Sequence, residues 1–378
     1  MTPGIGNLSY RLLAFGQTQY RYLTWFKRVP PTKDICVSYG FRTVAGKDQI
    51  ASGGIVKLQD LETGFPNHGA CADILYLVSS ALPPCALALA RHAKHRRVSI
   101  VLNQNGTAYP AWFGQGWEKA NRSMEALIRM ADYVFYQSRF CKMAADRHLV
   151  ARNQDYDICY NPVDTTTFVP TNKPPTGHRL LIAGSHMQFY RVRSAIEALS
   201  VLVPSFPNIQ LTIAGQLCWH AKRDQCKRDV YALSEKLQVR HRIHVSGAYH
   251  QQEAPQLFQE AHILLHTKYN DPCPRLVVEA MACGLPVVYS NSGGVPKLVG
   301  RQAGIGVRAP LDWQQLHPPS GKALAIAVKG VFDDYNRFRH RARRRAVDRF
   351  DTKPWLARHR QVFRNLAARS RRIRGRKL

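Results

Sequence analysis

Asn270-Asp271-Pro272-Cys273-Pro274-Arg275-Leu276-Val277-Val278-Glu279-Ala280-Met281-Ala282-Cys283-Gly284-Leu285-Pro286-Val287-Val288 is the stretch whose reading decides the fold. Two prolines and two small polar side chains at its start predict a loop. A short helix follows from about Pro274 to Cys283, stopped by Gly284, and a buried strand begins at Pro286. Asp271 lies in the loop and Glu279 on the helix, a spacing that can direct both carboxylates into one pocket. Carboxylates suit the hydroxyls of a sugar and a ribose, and backbone amides at a helix start suit a diphosphate. A further glycine loop, Asn291-Ser292-Gly293-Gly294, follows the strand.

Outward from this segment the chain alternates strand and helix. Apolar runs at Arg179 to Ala183, Ile209 to Ala214, Ile243 to Val245, Ala261 to Leu265 and Pro286 to Tyr289 form one set. Asp34 to Tyr39, Ile74 to Leu77, Val98 to Asn103 and Tyr133 to Gln137 form an earlier one. Segments long enough for crossover helices separate them, which predicts parallel sheets with covered faces. Pro170 to Pro175 has no apolar period and reads as a linker. The fold class is therefore α/β, with two Rossmann-like, doubly wound domains over 1–171 and 172–352. A length of 378 residues suits two cores of that size. Open parallel sheets bind ligands beyond the carboxyl ends of their strands, so the site is expected in the cleft between the domains. On the first domain Ala51-Ser52-Gly53-Gly54-Ile55 precedes a helical run from Val56 to Leu61, where absent side chains let amides approach a phosphate. Such a glycine pair taken alone is usually just a turn.

Charge is the anomaly in composition. Lys plus Arg total 54 against 25 Asp plus Glu, a formal net charge of +29, which draws the chain toward polyanions, anionic membrane surfaces or phosphorylated ligands. The nine cysteines contain no Cys-x-x-Cys pair, so neither a disulfide framework nor a zinc site is indicated, and a reducing cytoplasm fits. Met1 to Val29 lacks the continuous apolar core of a secretory signal. Ile74 to Ala90 is uncharged but carries Pro83 and Pro84 and reads as a strand, a turn and a buried helix rather than a membrane span. The tail residues Arg369, Arg371, Arg372, Arg374, Arg376 and Lys377 are not interleaved with aromatics, so no nucleic-acid partner is expected.

Asp271-x7-Glu279, Ala280 to Val288 and Gly293-Gly294-Val295-Pro296 together resemble the signature of the family 4 glycosyltransferases of GT-B fold. Asn161-Pro162-Val163-Asp164 with Phe168 and Pro170, Ile213-Ala214-Gly215 and Gly247 extend the resemblance, which is close over about Pro162 to Arg308 and loose before it. It implies that Asp271 contacts the donor sugar, that Glu279 holds the ribose, and that Arg275, Leu276 and Val277 at the helix start receive the diphosphate. Gly53 and Gly54 would meet the same diphosphate from the opposite domain. Gly184 ends the first strand of the second domain, and Arg191 is the candidate cation for the leaving phosphate, although Tyr190 stands at the usual Lys position. Residues 353–378 are expected to form a helix that returns to the first domain, beginning near Trp355, and a basic tail projecting after Ala368.

Three positions depart from the family pattern. Asp271 is one methylene shorter than the usual Glu, and Lys297 stands where Glu follows Gly-Gly-x-Pro. Asn105 stands where relatives carry His, so either its amide orients a sugar hydroxyl or another histidine such as His68 supplies the role. Asp271, Arg191 and Asn105 are thus the catalytic candidates. Without an Asp-x-Asp motif in a suitable loop, amides and a cation are expected to stabilise the diphosphate with no metal and no cofactor beyond the nucleotide sugar. The resemblance implies retention of anomeric configuration and transfer to a glycan or lipid-linked acceptor. A cytoplasmic enzyme, peripheral on an anionic membrane surface, is the expected setting. A sugar-nucleotide epimerase on the same fold and a basic nucleic-acid-binding protein are the alternatives.

Overall fold

The computed structural model describes residues 22, 24–26, 34–49, 51–69, 71–173 and 175–375. Most of Met1 to Val29 and the tail positions Arg376 and Lys377 lie outside the described residues, as does the side chain of Arg374.

Two parallel sheets carry the chain. The first orders β1 (Val37–Ser38), β2 (Ile74–Val78), β3 (Ser99–Gln104), β4 (Tyr133–Tyr136) and β5 (Tyr156–Ile158) in sequence. The second places β6 (His178–Ile182), β7 (Ile209–Ala214), β8 (Ile243–Gly247), β9 (Ile263–His266), β10 (Val287–Asn291) and β11 (Gly304–Arg308) in the order β11-β10-β9-β6-β7-β8. Among the described residues the reversal of a doubly wound sheet therefore appears in the second domain, between β6 and β9. That reversal opens a crevice where the two neighbouring loops diverge.

Both faces of each sheet are covered, which is why the strands read as continuous apolar runs. In the first domain Leu75, Leu77, Ile100 and Leu102 pack under the helices Ala86–His95, Trp117–Met130 and Arg139–His148. Their neighbours Ile74, Tyr76, Val78 and Val101 pack with the helix Gly53–Glu62 and with Trp355, Val362, Phe363 and Leu366 of the helix Thr352–Gly375. The last helix of the chain thus belongs to the core of the first domain. The chain crosses between domains twice, side by side. Val163 N donates to Phe350 O at 2.8 Å, and Thr352 N donates to Val163 O at 3.1 Å.

The returning helix does not end in a projecting tail at Ala368. It runs on to Gly375, with Ser370 Oγ 2.6 Å from Ser99 Oγ and Arg371 ion-paired to Asp73 at 2.7 Å. The carboxylate of Asp73, fully buried under the sheet, draws the helix down past the expected break. No helix of the described residues is long and apolar enough to cross a membrane.

His359 fixes this helix to the sheet. It is fully buried, with Nδ1 2.9 Å from Trp355 O and Nε2 3.2 Å from Tyr76 Oη. Burial pushes its pKa from 6.5 down to about 3, with Lys57 and Arg358 nearby acting in the same direction. The folded state therefore holds it neutral while the unfolded chain takes up a proton below pH 6.5, so its stabilisation is lost as pH falls from about 6.5 toward 3. Thermal melting across that window should show His359→Gln losing less stability on acidification than the wild type. An unchanged pH slope would refute the role.

Candidate active site

The loop from Thr267 to Pro274 joins β9 to the helix Arg275–Ala282, and both domains grip it. Thr267 Oγ1 donates to Arg191 O at 2.8 Å, and Tyr269 N donates to Tyr190 Oη at 3.0 Å. Asn270 takes the left-handed backbone that Asn tolerates (φ 51°), its N–H reaching Ser292 Oγ at 2.8 Å. Gly293 and Gly294 lie flat beneath, where any Cβ would overlap the backbone of Asp271 and Pro272, and Gly294 N donates to Asp271 O at 2.8 Å. From the first domain Ser138, which caps the helix Arg139–His148, donates to Pro272 O at 2.6 Å. Asn161 Nδ2 donates to Cys273 O at 2.7 Å.

Asp271 is 8 % exposed at the centre of this loop. Lys268 Nζ and His266 Nε2 each lie 3.2 Å from its Oδ2, the imidazole without the alignment of a hydrogen bond. Burial works against the carboxylate, but Lys268, His266 and Arg191 outweigh it and hold its pKa well below the ordinary range. Arg191, on the first turn of the helix Phe189–Leu202, is also buried. Its guanidinium donates to Ser185 O while its Nε has no partner among the described residues. Tyr190 supports the loop through its hydroxyl rather than offering a cation.

A cleft of about 500 Å³ opens between the domains, lined by Ser52, Gly53, Gly184, Arg275, Leu276 and Glu279 among others. The helices Gly53–Glu62 and Arg275–Ala282 both begin there, and among the described residues neither N-cap side chain caps its first turn. Their orphan amides and positive dipole ends favour an anion. Glu279, 4 % exposed, accepts from Arg275 Nε and Gln251 Nε2, each at 2.7 Å. Arg275 also pairs with Asp60 of the opposite helix, so one guanidinium bridges two carboxylates across the cleft. Burial opposes its charge, and Asp60 with Glu279 overcomes this and raises its pKa.

A second cavity of about 310 Å³ lies on the other side of the Asp271 loop, lined by Asn105, Thr107, Tyr109, Trp112, Lys268 and Pro272 among others. Lys268 Nζ stands 5.4 Å from the centre of the Trp112 ring.

Residues 164–345 match the family described as Glycosyl transferases group 1. That match spans most of the second domain. Among curated relatives, one component of human phosphatidylinositol N-acetylglucosaminyltransferase is 26% identical over 143 residues, 37% of this chain and 28% of that protein. The lipopolysaccharide glucosyltransferase WaaG of Escherichia coli K12 is 30% identical over 147 residues, 38% of this chain and 37% of that protein. The chain spans between 28% and 44% of the length of the curated relatives it matches. A solved structure of Anabaena Alr3699/HepE in complex with UDP superposes with a TM-score of 0.64 at 18% identity, covering 82% of this chain and 81% of that one. This likeness shows the fold, an α/β chain with two parallel-sheet domains in the GT-B arrangement.

The second domain brings Gly184, Arg275, Leu276 and Glu279 onto one cleft wall, and Gly53 faces them from the first domain. Four candidates sit otherwise than expected. Gly54 packs, its missing Cβ leaving 2.7 Å to Ala81 Cβ and to Ser80 Oγ. Val277 is fully buried, and its amide turns back to Pro274 O at 3.2 Å. Asp271 and Arg191 stand behind the cavity walls rather than on them.

Asn105 does line the second cavity, with its side-chain oxygen accepting from Ser79 Oγ and Gly106 N, both at 2.6 Å. Its Nδ2 makes no hydrogen bond among the described residues. His68 is exposed on a separate hollow beside Arg360 and Arg364, away from both cavities. Of the aromatics in that region, Tyr109 is buried edge-on against Trp313, whereas Trp112 and Phe113 remain exposed.

Asp60, Gln251, His266 and Lys268 escaped the sequence reading. Lys268 stands three residues before Asp271, a signal present in the sequence, whereas Asp60 lies 215 positions from its partner and gave none.

Proposed function

We propose that the chain is a retaining, metal-independent glycosyltransferase that moves a sugar from a nucleotide-diphosphate donor to a glycan or lipid-linked acceptor in surface polysaccharide or glycolipid synthesis. The observation that carries this reading is the placement of a charged, buried Asp271 between two cavities, one flanked by two uncapped helix starts and closed by Glu279. The diphosphate fits the helix starts at Gly53 and Leu276, the ribose fits Glu279, and the sugar then extends toward Asp271. Arg191 adds positive charge behind the leaving phosphate. In the retaining course the acceptor attacks on the face the phosphate leaves, and that phosphate takes the acceptor's proton, so no protein nucleophile is required. The second cavity supports transfer over epimerisation, because an epimerase needs no acceptor space.

The relatives named for phosphatidylinositol and lipopolysaccharide chemistry support a lipid-linked acceptor. The reading places the enzyme in the cytoplasm, peripheral on an anionic leaflet, with Arg369 and Arg372 exposed along the last helix beside the first domain. Nucleotide release from a panel of sugar nucleotides, with acceptor lipids added, tests the function. Activity is expected to persist in excess chelator. A requirement for added magnesium or manganese would overturn the metal-independent account, and a changed sugar formed without acceptor would favour the epimerase.

A further inference from the structure

The helix Tyr335–Phe350 carries seven arginines, and the structure sorts them into two groups. Arg337 pairs with Asp334, Arg339 donates to Thr171 O, Arg343 holds the carbonyls of Phe168, Ala282 and Thr165, and Arg345 holds those of Lys297 and Leu298. Arg341, Arg344 and Arg349 make no hydrogen bond or ion pair among the described residues. Those three, at spacings that share one helix face, line a cavity of about 290 Å³ together with Arg301 and Arg345. Asp348 is the one carboxylate on its wall, and it forms no ion pair among the described residues.

Arg345 is the built part of this site. Its two carbonyl partners fix the guanidinium, and Gly300 (φ +68°) makes room for it, since a Cβ there would stand 2.8 Å from Arg345 Cζ. Burial and the neighbouring Arg349 both lower its pKa, the mark of a cation lacking a counter-charge. A second cavity of about 620 Å³ adjoins, shares Arg301 and Arg345, and adds Lys297. Lys297 is the position that reverses the acidic residue expected after Gly-Gly-x-Pro. Like charges gathered in one recess repel one another unless an anion sits among them, and guanidinium groups match phosphoryl oxygens in geometry.

We propose that the recess between the helix Tyr335–Phe350 and the turn at Gly300–Ala303 binds a phosphoryl group, at a site that shares no residue with the donor cleft. The ligand chemistry is a phosphate monoester, diester or pyrophosphate, carried by a free anion or by a lipid headgroup. The proposal does not rest on the glycosyltransferase reading.

The test uses the full chain with Arg341→Gln, Arg344→Gln and Arg349→Gln combined, against a control of equal net charge, Arg122→Gln, Arg223→Gln and Arg228→Gln, all three exposed. Pyrophosphate is titrated by calorimetry at constant ionic strength, and co-sedimentation is measured with phosphatidylglycerol and phosphatidylcholine vesicles. The pocket variant should lose one class of pyrophosphate site, or bind anionic vesicles about tenfold more weakly, while the control keeps both. Loss of the pyrophosphate site assigns a free anion, and loss of vesicle binding alone assigns a lipid headgroup. Equal loss in pocket variant and control, or no loss in either, overturns the proposal. If the triple variant does not fold, the exposed single substitution Arg344→Glu is read by the same two measurements.

Discussion

Asp271→Asn is expected to lower turnover about 100- to 1000-fold while leaving the affinity for the free nucleoside diphosphate within about threefold of wild type. The substitution keeps the shape of the side chain and removes its charge. Lys268 and Arg191 then face a neutral amide that no longer balances their charge. Lys268 pairs with the carboxylate, and in the proposed function Arg191 lies behind the leaving phosphate, so the loss is expected in the step in which charge moves from sugar to phosphate. In the proposed function the diphosphate meets the helix starts beyond the other end of the loop, so binding of the free nucleotide is expected to be spared. Because the carboxyl pKa is held well below its ordinary value, the wild-type rate should show no acid limb from this group near neutrality. Steady-state kinetics with calorimetry on the free nucleotide decide the matter. Equal losses in turnover and in nucleotide affinity would show that Asp271 serves the whole donor rather than the sugar.

What could be read in advance followed from how local each signal was. Ile209 to Ala214 forms β7 over the expected residues because five of its six positions are apolar or β-branched and clear breaks flank it. β5 and β11 went unseen. Tyr156–Ile158 is three residues long with Asp at its centre and no buried face, and Gly304–Arg308 holds two glycines that periodicity cannot register. Their positions at the sheet edges are where strand character is weakest. The first strand is two residues rather than six, since Asp34 and Ile35 precede the ladder that begins at Val37. At the site, Asp271 and Glu279 were legible because nine residues of loop and helix contain both. The glycine pairs were legible too, but not what each glycine does: Gly54 fits under Ser80 and Ala81, a contact set only by the fold. Asp60 and Gln251 depend on which helix and which loop meet across the cleft, and no spacing along the chain records that.

Glu279→Ala should weaken nucleoside diphosphate binding by about 10- to 100-fold, the cost of one or two hydrogen bonds to a charged acceptor. The residue is 4 % exposed and accepts from Arg275 Nε and Gln251 Nε2, leaving acceptor capacity on the carboxylate for a ribose. Truncation also releases Arg275 from one of its two carboxylates, so a loss of affinity has two physical routes. If the ribose contact matters, pyrophosphate, which has no ribose, should bind the donor cleft of Glu279→Ala as well as it binds the wild type. If Glu279 acts only by aiming Arg275 at phosphate, both ligands should weaken together, and Arg275→Ala should reproduce the pattern. The fold is expected to survive, because Asp60 still pairs with Arg275 and the helix Arg275–Ala282 remains anchored by the buried side chains of Val277, Val278 and Met281. Calorimetry on the folded variant with both ligands separates the routes, and unchanged affinity for the nucleoside diphosphate would remove Glu279 from the donor site.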